Sequence, residues 1–217
     1  MIALDVETSG LDPNLCSILS IGALDTDEPS NQFYSECRVW SDRGIEAHIS
    51  EESIAINGFS REEITASPGR DGKAASGATG EVKKSEAELV TDFIAWAQDR
   101  PQNLTIVGQN SSFDRDFVHA ACKRAGIQFP FGHRVLDIHT MVWIHMMGQG
   151  SVPPTEHKHS RISLNFALRY CGLPEEQWPH NALTGAVAHA EVFARIAYTK
   201  NLLPEFSHLP LPWPPTT

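Results

Sequence analysis

The order of strand-like and helix-like segments is the feature that most constrains the fold. Three β-rich runs come first, "MIALDV", "SILSIGALD" and "NQFYSECRVW", and the turn-rich connectors "GLDPN" and "DTDEPSN" join them, which favours an antiparallel meander. Two later β-rich runs, "NLTIVGQN" and "RVLD", alternate with helical segments, as in parallel sheets. The pattern therefore predicts an α/β fold with a mixed five-stranded sheet and helices on both faces.

Helix start and stop signals organise the remaining chain. The segment "SEESIAINGF" has a serine N-cap and ends at Gly58, and helical spacing recurs in "SEAELVTDFIAWAQDR", "FDRDFVHAACKRAG", "IHTMVWIHMM", "RISLNFALRYCG" and "NALTGAVAHAEVFARIAYTK". A Gly/Ser-rich stretch at about residues 66–84 predicts a flexible surface insert, and "GQGSVPPTEHKHS" predicts a loop. We expect one domain over residues 1–203, followed by a proline-rich tail at 204–217.

Composition and charge fit a globular protein. The 217 residues are 41% hydrophobic and 20% charged, and no apolar run approaches the roughly 20 residues of a membrane span, so we expect a cytoplasmic protein without a membrane partner. Four widely spaced cysteines contain no C-x-x-C pair and predict reduced core thiols. The net charge of −10 argues against broad adhesion to nucleic-acid backbones, but metal ions can supply positive charge locally in a nuclease.

The first strand carries two acids on one face. Side chains at i and i+2 of a strand share a face, so "DVE" places Asp5 beside Glu7 while Leu4 and Val6 point into the opposite layer. Two carboxylates this close repel each other unless a cation lies between them. An isolated D-x-E is more often a pair of solvated acids, but this pair lies within a strand and precedes Thr-Ser-Gly.

A third acid follows a later strand. In "VGQNSSFDRDF", Asp114 lies near the start of a helix, at the carboxyl edge of the sheet where α/β proteins place their sites. The alternative is an acid that only stabilises the helix N-terminus. Asp116, two residues further along the helix, points in a different direction and is the weaker candidate.

These motifs, together with "HNAL" near the C-terminus, resemble those of the DEDDh family of 3′→5′ exonucleases, which includes polymerase proofreading subunits and RNase T-like enzymes. The resemblance covers nearly the whole chain in the right order, without the insert and the tail. It implies an RNase H-like fold and hydrolysis at the 3′ end of single-stranded DNA or RNA. It also implies release of nucleoside monophosphates and two divalent metal ions, Mg²⁺ or Mn²⁺.

The resemblance assigns catalytic roles to four residues. Asp5 and Glu7 match the metal ligands of the first motif, Asp114 matches the acid of the second, and His180 matches the general base. The chemistry agrees with these residue types, since two hard cations about 4 Å apart prefer oxygen ligands and clamp the scissile phosphate. A histidine with a pKa near 6.5 suits the removal of a proton from the attacking water.

The resemblance also implies contacts with the substrate. The backbone and hydroxyls of Thr8 and Ser9 would face the terminal nucleotide, and Leu11 would wedge against its base. Asn110 and Phe113 would shape the pocket, although turn capping and core packing explain these two residues equally well.

One family position is altered. The third motif of the family is H-x-A-x-x-D, and "HNALTG" places Gly185 where the aspartate belongs. The protein then has at most three carboxylates near two cations, so we expect weak or absent activity. Three explanations stay open: a replacement that traps a substrate complex, a naturally inactive module that binds nucleic-acid ends or a partner, or a group that fills in. His189 is a poor ligand for hard metals, and Glu191 points elsewhere.

Other segments give weaker signals. "HKHSR" favours a solvated loop over a metal site, although Lys158 and Arg161 are candidates for phosphate contacts. Asp137 is a candidate helix cap. The tail "LPLPWPPTT" is a candidate docking segment for an aromatic groove of a protein partner, with a loose terminus as the alternative. The choice between DNA and RNA and the oligomeric state stay open.

Overall fold

The computed structural model describes residues 1–42, 44–66, 83–99 and 103–213. In these ranges the strands, in chain order, are β1 Ile2–Thr8, β2 Ile18–Asp25, β3 Gln32–Glu36, β4 Ser41–Asp42, β5 Ile45–Glu46, β6 Ile106–Gly108, β7 Val135–Asp137, β8 Thr155–Glu156 and β9 His159–Ser160. The helices are α1 Glu51–Asn57, α2 Arg61–Thr65, α3 Glu86–Gln98, α4 Ser111–Ala125, α5 Ile138–Gly148, α6 Leu164–Tyr170 and α7 Ala182–Tyr198, followed by a 3₁₀ turn at Pro204–Phe206.

The main sheet has the predicted mixed architecture. Its five strands lie in the order β3-β2-β1-β6-β7. The first three form an antiparallel meander, whereas β1, β6 and β7 run parallel. Since β1 is the central strand and β6 pairs only with Ile2 and Ala3 of it, the carboxyl half of β1 is open on its β6 side. This opening lies beside both acids of the first motif.

Helices cover both faces of the sheet, as predicted. Ile2, Leu4 and Val6 of β1 point into one core, which α3 and α4 complete with Phe93 and Phe117. The alternate residues of β1 face the other layer, where Ala3 packs in the core formed with α5, α6 and α7. Asp5 and Glu7 therefore lie on the face that α7 covers.

Gly22 allows α7 to approach this face closely. Gly22 lies directly opposite Asp5 in the β1–β2 register, and a Cβ at position 22 would overlap the backbone of Ala182 and Leu183. A residue with any side chain would push the first turn of α7 off the sheet. The glycine thus places the start of α7 beside the acids of β1.

Local signals set the helix boundaries. The Ser50 hydroxyl accepts a hydrogen bond from the Ser53 amide, and α1 ends at Gly58 with a φ of 72°, so both predicted signals are confirmed. Ser85 and Glu88 form a capping box at the start of α3. Asp137 caps α5 by accepting from the His139 amide, which confirms that prediction.

Two hairpins and one helix were not predicted. The hairpin β8–β9 lies in the segment interpreted as a loop, and its turn residues His157 and Lys158 have φ values of 48° and 68°. Its strands, like β4 and β5, have two residues each and are exposed, so no hydrophobic alternation marks them. Helix α2 is similarly short. The flexible insert predicted at about 66–84 lies, over residues 67–82, outside the described residues.

The segment after residue 203 is not a loose terminus as far as residue 213. Trp213 is 8% exposed and packs against the rings of His145 and Tyr170, with centroid distances of 4.5 and 5.1 Å. Residues 204–213 therefore belong to the folded domain, which corrects the loose-terminus interpretation for this stretch. Residues 214–217 lie outside the described residues.

The structure also tests two predictions from composition. All four cysteines are free and buried, which confirms the prediction of core thiols. Among the helices in the described ranges, none is long and apolar enough to cross a membrane.

Candidate active site

Three predicted carboxylates come together at the open half of β1. Asp114, in the first turn of α4, is 3% exposed, and its Oδ1 accepts a hydrogen bond of 3.0 Å from the Val6 amide. Because β6 ends at Gly108, Asp114 takes the place of a strand partner for this amide. Glu7 is 7% exposed, and the charges of Asp114 and Glu7 both act on Asp5.

Burial and mutual repulsion shift the acidity of this cluster. Burial and then the charges of Asp114, Glu7 and Glu176 hold the pKa of Asp5 well above its usual range. Burial raises the pKa of Asp114 to about 8, with Glu7 and Asp137 adding to the effect. Burial and the charge of Glu176 raise the pKa of Glu7 to about 7. Such clustered shifts are typical of functional sites, and divalent cations would relieve the repulsion.

The cluster is not closed into a coordination shell. In the described ranges, no three His, Cys, Asp or Glu side chains already form a metal-binding group. The Asp5 carboxylate is turned towards α7, and the Asp114 Oδ1 is bonded to the Val6 amide. Binding of cations would therefore require these side chains to rotate. The residue types fit such a site, because carboxylate oxygens are preferred ligands of hard metals.

Gly185 lies directly on Asp5. It occupies the first turn of α7, and a Cβ added there would lie 2.7 Å from the Asp5 Cγ. An aspartate at 185 would require the Asp5 carboxylate to turn away from the helix. The position of the missing family acid is thus next to the cluster, as the motif implied, but the carboxylate of Asp5 takes up its space.

His180 lies at the rim of the cluster. Its amide donates a 3.1 Å hydrogen bond to the Ile56 carbonyl, which fixes the loop before α7. Its side chain is 33% exposed, and the Nε2 atom lies 3.7 Å from the Glu176 Oε2. The imidazole is therefore open to solvent on one side and faces a carboxylate on the other.

Glu176 was not predicted from the sequence. Its side chain is 8% exposed and lies beside His180, and its charge raises the pKa values of both Asp5 and Glu7. The adjacent Glu175 is exposed and pairs with Arg169 at 2.5 Å. Nothing in "LPEEQWPH" distinguishes the two glutamates, because only the packing of the loop decides which one is buried.

Thr8 and Ser9 are buried within the protein. The Ser9 hydroxyl donates to the His48 carbonyl at 2.7 Å and accepts from the Ser17 amide at 2.8 Å. The Thr8 hydroxyl donates to the Gly10 carbonyl at 2.8 Å. Both hydroxyls hold the turn after β1, so this conformation does not favour the expectation that they face a nucleotide.

Leu11 follows this turn and is 81% exposed. Its position is compatible with the expected contact with a terminal base.

Asn110 and Phe113 occupy the start of α4. Asn110 has a φ of 57° and makes no side-chain capping bond, so turn capping by its side chain is excluded in this conformation. It is exposed next to Asp114. Phe113 is partly buried against Phe117 at a centroid distance of 4.8 Å, which supports core packing.

A cavity of about 200 Å³ lies beside His180, and its lining includes Ser20, Tyr34 and Asn181. The Ser20 Oγ is buried without a hydrogen-bond partner. A larger cavity of about 590 Å³, lined by Arg38, Trp40, Lys123 and Arg124 among others, contains none of the predicted site residues. The size of a cavity therefore does not identify the candidate site, which is marked by the convergence of the three acids.

The remaining candidates have structural roles. His189 is 1% exposed, its Nδ1 lies 2.9 Å from the Leu4 carbonyl, and burial lowers its pKa to about 4. Glu191 pairs with Arg195 at 2.9 Å inside the protein, and Asp116 pairs with Arg115 at 2.7 Å on the surface. None of these side chains fills in for the acid missing at 185.

The basic residues of "HKHSR" lie on an exposed hairpin. Arg161 pairs with Glu156 at 3.1 Å, with more than half of each side chain exposed. Such a pair is weak, so phosphate contacts by Lys158 and Arg161 stay a prediction.

We expect the protein without metal to lose stability as the pH rises from 6.5 to 8. The pKa values of Glu7 and Asp114 are raised from 4.5 and 3.8 to about 7 and about 8. The folded state therefore holds protons that the unfolded state has released, so folding weakens as the pH approaches these values. His189, whose pKa burial lowers from 6.5 to about 4, opposes the trend as the pH rises through 6.5, but its effect is small above pH 7, where the imidazole is largely neutral in both states.

Urea unfolding in a chelator across this range measures the effect, which we expect to reach about 2 kcal/mol. Asp114→Asn should flatten the profile. A stability that stays constant from pH 6.5 to 8 in the unsubstituted protein would contradict the proposed burial of these charges.

Known proteins resemble this chain in sequence and fold. A family model described as "3'-5' exoribonuclease Rv2179c-like domain" matches residues 1–197. The 3'-5' DNA exonuclease Cap18 of Escherichia coli is 28% identical over 198 residues, which cover 90% of each chain.

Solved structures of E. coli exonuclease I share the fold. Its complex with a dA16 oligonucleotide has a TM-score of 0.64 at 16% identity over 95% of this chain. The zinc ion bound form of its complex with single-stranded DNA has a TM-score of 0.64 at 14% identity over 92% of this chain. The chain spans only 41% of the length of exonuclease I in both comparisons.

Proposed function

Because the chain belongs to the Rv2179c-like 3'-5' exoribonuclease domain family, we propose that it is a metal-dependent exonuclease acting on the 3′ ends of single-stranded nucleic acid. Family membership confirms the resemblance inferred from the three motifs, and with it the class of enzyme, a 3′→5′ exonuclease. The products would be nucleoside monophosphates, since hydrolysis of the terminal phosphodiester leaves one nucleotide at a time.

The observation that carries the proposal is the convergence of Asp5, Glu7 and Asp114 beside the partly exposed His180. The residues come from β1, α4 and the loop before α7, yet burial and mutual repulsion link the three acids electrostatically. A buried group of like charges is unfavourable for folding alone. Its presence supports a site built to hold divalent cations.

Asp5, Glu7 and Asp114 would hold two magnesium or manganese ions. Bound there, the ions would supply Lewis-acid stabilisation of the charge that develops on the phosphate oxygens. His180 would accept the proton of the attacking water, since its imidazole is accessible from solvent. Leu11 would contact the terminal base from the loop after β1, and the exposed Asn110 would lie at the edge of the pocket.

The two matches by sequence carry names with different nucleic acids, so both DNA and RNA stay candidate substrates. The family model is described as an exoribonuclease domain, whereas Cap18 is named a DNA exonuclease. Both DNA and RNA therefore enter the experiment. Exonuclease I, the neighbour in fold, is bound to single-stranded oligonucleotides in its structures, which supports a single-stranded substrate here.

Gly185 favours a second candidate function. Without a carboxylate at 185, the chain would offer the metal ions one ligand fewer than the third motif of the family, so we expect the metal affinity to fall and the rate to be lowered. If no other group contributes, the protein would be a module that binds nucleic-acid ends without cleaving them.

Digestion of matched DNA and RNA oligomers tests the proposal. With a 5′ label, Mg²⁺ or Mn²⁺ should give a ladder that shortens from the 3′ end, and a chelator should stop it. We expect His180→Ala to slow this reaction by about 10²- to 10⁴-fold, whereas Glu175→Gln, an exposed neighbour in the same loop, should act like the unsubstituted protein. Tight binding of the labelled end with no shortening under either metal would favour the non-catalytic module.

A further inference from the structure

A basic cavity lies beside the loop that follows β1. This cavity of about 590 Å³ is lined by that loop, by the chain from Arg38 to Asp42, and by residues of α3 and α4. We propose that the basic cavity binds phosphate groups of the single strand on the 5′ side of its terminal nucleotide. This inference rests on the proposed function and extends it from the nucleotide that is cleaved to the strand that follows.

Cations outnumber acids in the lining of the basic cavity. The lining contains Arg38, Lys123 and Arg124, against the two acids Asp42 and Glu86. The whole chain has a net charge of −10, so a concave surface with an excess of positive charge departs from the rest of the molecule. Positive charge in a concave surface raises the local concentration of anions, and phosphate groups are the anions that a nuclease substrate presents.

One side of the basic cavity is a fixed ion pair. Glu86 is 2% exposed, and the Nε and Nη2 atoms of Arg124 donate to its two oxygens at 2.7 and 2.8 Å. The Ser17 hydroxyl and the Ile18 amide donate to the same carboxylate at 3.0 Å. The Cζ of Arg124 lies 5.4 Å from the centroid of the Trp40 ring. Arg124 and Glu86 therefore neutralise each other and hold the shape of the cavity, which leaves the binding of anions to the other cations.

Arg38 and Lys123 are the cations left for a ligand. Within residues 1–42, 44–66, 83–99 and 103–213, neither of them forms an ion pair. The Arg38 Nη1 donates to the Lys83 carbonyl at 2.7 Å, which orients the guanidinium, and Lys123 is exposed in the last turn of α4. A guanidinium and an ammonium in one cavity can bind phosphate oxygens through charge-assisted hydrogen bonds. Asn14 and Ser41 add neutral polar groups to the same lining.

The basic cavity lies within reach of a strand held at the candidate active site. The Arg124 Nη1 donates to the Pro13 carbonyl at 2.7 Å. Pro13 lies between Leu11, the proposed contact of the terminal base, and Asn14, which lines the cavity. Three residues of chain span at most about 11 Å, and stacked nucleotides follow one another at about 3.4 Å along a strand. The cavity therefore begins within about three nucleotides of the 3′ end.

The salt dependence of strand binding tests this role. Fluorescence anisotropy of a long labelled oligomer, in a chelator that prevents digestion, gives the affinity at several salt concentrations. We expect Lys123→Gln and Arg38→Gln each to weaken binding about threefold or more at low salt and to lower the slope of log affinity against log salt by about 0.7, the value for one phosphate contact of a single strand. The matched control Lys200→Gln removes an exposed lysine beyond the far end of α7 and should keep both the affinity and the slope.

The length of the substrate separates the basic cavity from the active site. With Mn²⁺, the KM of Lys123→Gln should rise more for a long oligomer than for a dinucleotide, because the single internal phosphate of a dinucleotide lies at the cleavage site. The kcat for the long oligomer should fall less than its KM rises, since the contact is remote from the reacting atoms. An equal change for both substrates would overturn the inference.

Inorganic phosphate distinguishes a strand from a free anion as the ligand. If calorimetry in a chelator shows phosphate binding that Lys123→Gln abolishes, while the salt slope for the oligomer is the same in both proteins, the cavity is a site for free phosphate and the inference is overturned.

The unsubstituted protein separates the two levels of the proposal. If it digests 3′ ends while Lys123→Gln and Arg38→Gln keep its salt slope and its KM for the long oligomer, only the role of the basic cavity fails. If the unsubstituted protein neither binds nor digests the oligomer, the proposed function fails together with the inference.

Discussion

Asp5→Asn should abolish hydrolysis at the 3′ end and, in the same protein, stabilise the fold when metal is absent. Asp5 is the acid on which the charges of Asp114, Glu7 and Glu176 converge. Asparagine keeps its shape but removes a negative charge. Loss of metal-dependent stabilisation of the transition state amounts to several kcal/mol, or about a thousandfold or more in rate.

The increase in stability has the same physical origin. In the folded protein without metal, the negative charge of Asp5 is opposed by burial and by three neighbouring acids, whereas in the unfolded chain it is solvated. Removing it therefore favours the folded state, most strongly at high pH, where the acids are ionised. Few substitutions at a purely structural position would lower activity and raise stability together.

Two measurements on Asp5→Asn check this result. Digestion of a labelled oligomer with Mn²⁺ gives the rate, and urea unfolding in a chelator at pH 8 gives the stability. Asp116→Asn is a matched control, since Asp116 is an exposed acid paired with Arg115, and it should change neither quantity appreciably. An Asp5→Asn variant that digests its substrate at the normal rate would refute the assignment of the site.

Arg195→Met should lower the free energy of unfolding by about 3–5 kcal/mol, because it leaves Glu191 buried without its partner. Arg195 and Glu191 are both fully buried and lie 2.9 Å apart. Arg195 also donates to the Cys171 carbonyl at 2.8 Å and to the Phe206 and Leu209 carbonyls at 3.3 Å. One guanidinium thus fastens the end of α6 and the segment after residue 203 to α7.

A double substitution distinguishes the ion pair from simple packing. Arg195→Met/Glu191→Leu removes both charges and should recover part of the lost stability. Arg169→Met breaks the exposed pair with Glu175 and should cost about 1 kcal/mol or less. If Arg195→Met lowered the free energy of unfolding by less than Arg169→Met does, the buried network would contribute little to stability.

The placement of residues 204–213 changes the interpretation of the C-terminal segment. Trp213 is buried against His145 and Tyr170, and Arg195 binds carbonyls of the same segment. In this conformation the segment up to 213 binds its own domain, so docking of a protein partner through "LPLPW" would require these contacts to open.

Much of the site was predictable because its signals are local. The two-residue period of a strand places Asp5 and Glu7 on one face, whatever the rest of the chain does. The transition from strand to helix places Asp114 at the carboxyl edge of the sheet, and the third motif locates both His180 and the exceptional Gly185. The same periodicity predicts the mixed sheet, because three β-rich runs with short connectors precede the alternating segments.

The rest depended on contacts between residues far apart in the sequence. Glu175 and Glu176 are neighbours of the same type, and only the packing of their loop, anchored to Asn165 of α6, exposes one and buries the other. Likewise, the sequence predicts substrate contacts for Thr8 and Ser9, whereas in the structure their hydroxyls are bonded within the protein.

The sequence by itself determined the class of fold, the three acids and the histidine, since strand and helix periodicity and short motifs act over a few residues. Only the tertiary structure decided that Glu176 is buried while Glu175 is exposed, that residues 204–213 pack against α5, α6 and α7, and that Asp5 lies against Gly185. Burial and the approach of charges are properties of the packed chain, and no local pattern encodes which of several similar side chains the packing will enclose.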